Sequence, residues 1–109
     1  MRFLVTATLP TETANEAMKN GTFGPTFEKY LAETKPEAVY FTEVEGHRTI
    51  ILVVNLITAN EMIKFSEPLF HAFKAVIDWK LVMSPDEVLS GLHYMQCAVK
   101  SYTQEARAA

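Results

Sequence analysis

Ile50-Ile51-Leu52-Val53-Val54 is the longest unbroken apolar run in the chain. That length fits one strand and falls far short of the roughly 20 residues a membrane-spanning helix needs. In extended backbone alternate side chains point to opposite faces, so Ile50, Leu52, Val54 and Leu56 go one way and Ile51 and Val53 the other. A strand apolar on both sides must be covered on both. Any fold for this chain has to supply two covers for that strand.

The flanking elements narrow the choice. Ala38 to Val44 and Arg48 to Leu56 are β-rich runs separated by Glu45-Gly46-His47, which predicts a hairpin. Arg2 to Leu9 alternates as a strand closed by Pro10, and Ala75 to Met83 reads as a fourth strand with Ile77, Trp79 and Leu81 on one face. Thr13-Ala14-Asn15-Glu16 and Thr58-Ala59-Asn60-Glu61 have capping-box spacing. The first predicts a short helix to about Asn20, ended by Gly21, with Pro25 restarting a second helical piece that carries Phe27, Tyr30 and Leu31 on one face and stops at Pro36. The second box opens a helix with a stripe of Met62, Phe65, Leu69 and Phe73, which Pro68 should kink or re-cap near Ser66. Ser84-Pro85-Asp86-Glu87 is the strongest helix start, and Val88, Leu92, Met95, Val99, Tyr102 and Ala106 then recur on one narrow seam of a helix over 85–107. Asn20-Gly21-Thr22, formally a glycosylation sequon, reads as a turn.

Strand, helix, strand, strand, helix, strand and an added helix is the ferredoxin-like βαββαβ order, an α+β class. It places the first and third strands in the middle of an antiparallel sheet with the helices on one face. The second face is then bare. A second copy packed sheet to sheet across a twofold axis would cover it, giving a homodimeric α+β barrel; the alternative is the C-terminal helix folding over it in cis.

Composition agrees with a single domain over 1–109, a core over 1–84 plus the C-terminal helix. The 109 residues are 49% hydrophobic and 21% charged, an ordered globular balance. The ten Lys and Arg residues never adjoin and the net charge is -3, so no clustered basic surface points to nucleic acid. Neither a membrane partner nor a secretory leader is expected, since Phe3-Leu4-Val5 is broken at once by Thr6 and Thr8. Cys97 is the only cysteine, which excludes an internal disulfide and suits a cytoplasmic protein.

Met1-Arg2-Phe3-Leu4-Val5, Lys35-Pro36-Glu37-Ala38-Val39-Tyr40-Phe41-Thr42-Glu43, Gly46-His47-Arg48-Thr49, Glu67-Pro68-Leu69-Phe70 with Ala72-Phe73, and Val82-Met83-Ser84-Pro85-Asp86-Glu87 together resemble an uncharacterised family of small bacterial domains in the dimeric α+β barrel superfamily. The resemblance spans about residues 1–90 and implies the fold and dimerisation. It implies no particular activity: the superfamily holds cofactor-independent monooxygenases, muconolactone-isomerase-like enzymes and stress-response proteins. Lys80 and Leu81 stand where that family more often shows His and Pro.

Few residues offer chemistry. His71, with Glu67 four positions earlier, is an acid or base candidate or else a histidine filling space beside aromatics. Asp78 and Lys80 share a face of the fourth strand, as a proton-handling pair if that face lines a helix-side cavity, or as a solvated salt bridge or edge guard if it does not. Tyr40 and Arg48 flank the hairpin and are candidates to hold an anionic ligand, with Trp79 a further wall residue. His93 and Cys97 are one turn apart, too few for a structural zinc site, and no cofactor motif is present, so neither metal nor cofactor is expected. Two functions follow as expectations. One is a homodimer binding an apolar or aromatic small molecule between sheet and helices, as a cofactor-independent monooxygenase-like or isomerase-like enzyme, with His71 and Asp78 catalytic. The other is a non-catalytic homodimeric interaction or stress-response module, with the would-be pocket filled by Phe65, Leu69 and Trp79 and the C-terminal helix free to dock.

Overall fold

A computed structural model describes residues 1–103. Four strands, β1 (Arg2–Thr8), β2 (Ala38–Val44), β3 (His47–Asn55) and β4 (Val76–Val82), form one antiparallel sheet in the order β2-β3-β1-β4. The helices are α1 (Thr11–Lys19), α2 (Phe23–Thr34), α3 (Glu61–Phe73), α4 (Pro85–Ser90) and α5 (Leu92–Tyr102). The first and third strands are central, as expected.

Register separates the two faces. Val39, Leu52, Val5 and Trp79 form one cross-strand row, and Phe41, Ile50, Ala7 and Ile77 the next on the same side. This side meets α1, α2 and α3: Val5, Ala7, Ile50, Leu52 and Val54 are buried in one core with Ala14, Tyr30, Phe65, Leu69 and Phe73. Each large aliphatic side chain so buried stabilises by roughly 1.5–3 kcal/mol. On the other side, the Tyr40, Ile51, Thr6, Asp78 row runs beside the Ala38, Val53, Leu4, Lys80 row. Leu4, Ile51 and Val53 neither belong to that core nor pack against it, and on this side only Thr49, near one end of β3, is fully buried.

Local chemistry explains the boundaries, including several that differ from the sequence reading; α2, for example, begins at Phe23, two residues before Pro25. Glu45 and Gly46 both have positive φ (52° and 78°), a type I′ turn that lets β3 begin at His47 instead of Arg48. Helix α1 starts at Thr11, its first bond running from the Ala14 amide to the Pro10 carbonyl at 3.0 Å; Pro10 as N-cap has no side-chain acceptor, and Thr13, already inside the helix, forms no box. At α3 half of the expected box forms: Glu61 Oε2 accepts from the Ile57 and Thr58 amides at 2.7 and 2.9 Å, while the Thr58 hydroxyl turns to Asn60. Helix α3 then runs through Pro68 without re-capping at Ser66, which is buried in the stripe with Phe65, Leu69 and Phe73, whereas Met62 is exposed. The Ser84 box forms in full, with Ser84 Oγ accepting from the Glu87 amide at 3.2 Å and the Ser84 amide donating to Glu87 Oε1 at 2.9 Å.

The expected single helix over 85–107 is two helices parted at Gly91, whose amide reaches back to both Glu87 and Val88 carbonyls. Glycine is a poor interior helix residue, and the break falls there. Neither α4 nor α5 contains a buried residue. Ala106 and the expected helix end lie outside the described residues. The molecule is accordingly long: its principal axis is 69 Å and its radius of gyration 19.4 Å, against about 13 Å for a compact chain of this length.

Candidate functional site

The best-formed concavity lies between α2 and α3. Thr26, Lys29, Tyr30 and Glu33 line it from one helix, and Pro68, Leu69, His71, Ala72 and Phe73 from the other, around a volume of about 340 Å³. Tyr30 is its floor. The phenol donates a 2.8 Å hydrogen bond to the Phe65 carbonyl, and burial pushes its pKa well above the ordinary tyrosine value. Pro68 has no amide to give the Lys64 carbonyl one turn back, so this part of α3 is where the helix ladder is weakest and where Tyr30 braces it. His71 is at the rim, its side chain 85% exposed, with Nε2 3.3 Å from Glu67 Oε2.

Trp79 sits on the covered face of β4. Its indole Nε1 donates to Ser66 Oγ at 3.0 Å, and its ring meets Phe3 and Phe65 edge-on, with centroids 5.6 and 6.4 Å apart. Phe65 and Leu69 are buried beside it, so the space between α3 and the sheet holds side chains. A narrower groove of about 240 Å³ remains further out, between α3 and the edge of β4.

The other sequence candidates are elsewhere. Tyr40, Asp78 and Lys80 are on the bare face, where Lys80 Nζ approaches Asp78 Oδ2 at 3.8 Å with both side chains mostly exposed: the geometry of a solvated pair. Arg48 stands opposite Glu43 on the covered side of the hairpin, so it and Tyr40 point to different faces. The sheet thus separates His71 from Asp78, and the six candidates line no common pocket within one chain. His93 and Cys97 are exposed on α5, and among the described residues no three His, Cys, Asp or Glu side chains cluster as metal ligands.

Like the Tyr30 and Trp79 hydrogen bonds, a third polar contact escaped the sequence reading. Arg2 binds Glu37 with two hydrogen bonds, Nε to Oε2 at 2.9 Å and a terminal nitrogen to Oε1 at 3.0 Å, and its hydrogen bonding holds the Glu37 carboxyl below the usual range. Glu87 of α4 is close enough to feel the Arg2 charge, so the base of the C-terminal arm lies near this pair. The partners are far apart in sequence, and no local spacing signals them.

No protein-family model matches the chain, and neither the curated proteins nor the solved structures contain a significant match. No helix among the described residues is long and apolar enough to cross a membrane.

Proposed function

We propose that this protein is a homodimeric interaction module: a ferredoxin-like subunit that pairs its bare sheet face with that of a second copy, forming a dimeric α+β barrel in a reducing, cytoplasmic setting. One observation carries the reading. The bare face presents Leu4, Ile51 and Val53 on its central strands with Tyr40 and Val76 at its margins, and among the described residues none of these joins the core beneath the helices. A twofold partner offers the same surface back, ring and aliphatic against aliphatic, and sheets stack in this way about 10 Å apart. The strand order β2-β3-β1-β4 and the helices packed on one face support the ferredoxin-like reading. Native mass spectrometry of the full chain at micromolar concentration tests it: a dimer ion is expected, and a monomer alone would overturn it.

The α2–α3 cleft favours a second reading, a small-molecule site. About 340 Å³ is within the range of ligand pockets, the floor is apolar, and Lys29, Glu33 and His71 give the rim polar groups. Here His71 would orient or protonate a ligand, and the subunit would act as a binder or a cofactor-independent enzyme. Anilinonaphthalene sulfonate serves as the probe. Saturable binding lost in Ala72→Trp, which fills the cleft from an exposed position, and weakened severalfold in His71→Ala supports the site; binding indifferent to both removes it.

A further inference from the structure

Sheet pairing leaves two apolar surfaces uncovered, and they match each other. The first is the groove between α3 and the β4 edge, where Met62, Ile63 and Phe70 are 38%, 61% and 43% exposed beside Ile77 and Trp79. The second is the seam of α5, where Leu92, Met95, Val99 and Tyr102 fall within roughly a quarter-turn of one another, 39% to 76% exposed. We propose that α5 of one copy docks in the α3–β4 groove of the other, so that two chains exchange C-terminal arms. The proposal rests on the homodimer reading and adds a specific contact to it.

Four observations favour a second copy as the occupant. The Ser84 box and Pro85 fix the departure of α4, and the resulting arm stands away from its own core, giving the 69 Å axis. From Pro85 to Tyr102 the arm is at most about 27 Å long at 1.5 Å per residue, less where it turns at Gly91, and that reach passes one sheet layer of about 10 Å to a helix packed behind it. No residue of α5 is buried, so its apolar seam is unpacked within its own chain. Both halves of the contact belong to the same chain, so a twofold pair satisfies each and closes. Docking four seam side chains in each direction removes on the order of 1,000 Å² of surface, a large share of the roughly 1,600 Å² in a standard interface. The mode is an amphipathic helix in an apolar groove.

Disulfide trapping in the full chain tests the contact. In a Cys97→Ser background, Phe70→Cys with Met95→Cys should give, on mild oxidation or with a short bis-maleimide, a covalent species of twice the 12.3 kDa chain mass. Cross-linking within one chain would show the arm docked in cis, and dimer formed from Met95→Cys alone would show arm against arm; either result, or no cross-link by either reagent, overturns the exchange. A Leu92→Asp/Val99→Asp variant separates this from the sheet contact. Arm exchange predicts dimerisation weakened at least tenfold and emission of Trp79, the only tryptophan, shifted to longer wavelength. An unchanged dimer with unchanged emission leaves sheet pairing standing and removes arm exchange, whereas a monomeric wild type removes both.

Discussion

Ile50 and Ile51 are consecutive in β3 and serve different surfaces: Ile50 is fully buried beneath the helices, and Ile51 is half-buried on the opposite face. The pair separates folding from assembly. Ile50→Ala removes side-chain volume from the closed core and should lower stability by about 2–5 kcal/mol in urea unfolding of a dilute, monomeric sample. Ile51→Lys should leave that monomer stability within about 1 kcal/mol and instead abolish the dimer. A variant pair with equal effects on both quantities would contradict the division of faces.

Trp79 and Ser66 hold α3 to the edge of the sheet. Ser66→Ala leaves the indole N–H without its partner in a partly buried place, and a loss of about 1 kcal/mol is expected. Tyr30→Phe should cost a similar amount through the Phe65 carbonyl, and because both bonds hold the adjoining residues Phe65 and Ser66, the double variant should depart from additivity by about 0.5 kcal/mol or more. Chemical denaturation of the three variants checks this.

The Glu37, Glu61 and Glu87 carboxyls are all held below their ordinary pKa, by the Arg2 guanidinium for Glu37 and by backbone amides for the two helix-start glutamates. A depressed folded-state pKa means stabilisation fully present above the unfolded value and lost as pH falls through the folded one. The gap in thermal midpoint between wild type and Glu37→Gln should therefore be constant above about pH 6 and close as the pH is taken below about 4. A gap that widens on acidification would contradict the Arg2–Glu37 assignment.

Gly46 occupies the second positive-φ position of the β2–β3 turn with open space around it, so Gly46→Ala meets no clash and pays only for the left-handed backbone. A loss of about 1–2 kcal/mol is expected. Glu45→Asn, which suits the first turn position, should stabilise. Paired unfolding curves decide both.

Most of the fold was legible because it is written in periodicity and punctuation. The two-faced run 50–54 identified the central strand, Glu45-Gly46 the hairpin, and Ser84-Pro85-Asp86-Glu87 the start of the arm. Signals that depend on competition between neighbours were less secure: the Thr13 box yielded to Pro10 one turn earlier, and the seam after residue 85 gave no warning that Gly91 would split it. The site was harder still. Asp78 and Lys80 were correctly paired by the two-residue period, but period alone does not say which face the helices take, and they lie on the bare one. The α2–α3 cleft needs the packing of two helices joined through a hairpin, and the Arg2–Glu37 bond needs strand register; Tyr30, Pro68, Leu69 and Phe73 were legible as helix-face or punctuation residues, and only His71 of the cleft lining as a chemical candidate.

Sedimentation equilibrium of wild type beside Val53→Lys tests the pairing of bare sheet faces most directly. Val53 sits on a central strand of that face and is only half-buried in the chain, so lysine there should spare the subunit fold while placing a charge at the middle of the proposed interface. The expected result is a wild type at twice the 12.3 kDa chain mass at micromolar concentration and a folded, monomeric variant. A wild type at the mass of one chain, or a Val53→Lys variant that dimerises as tightly as wild type, would contradict it.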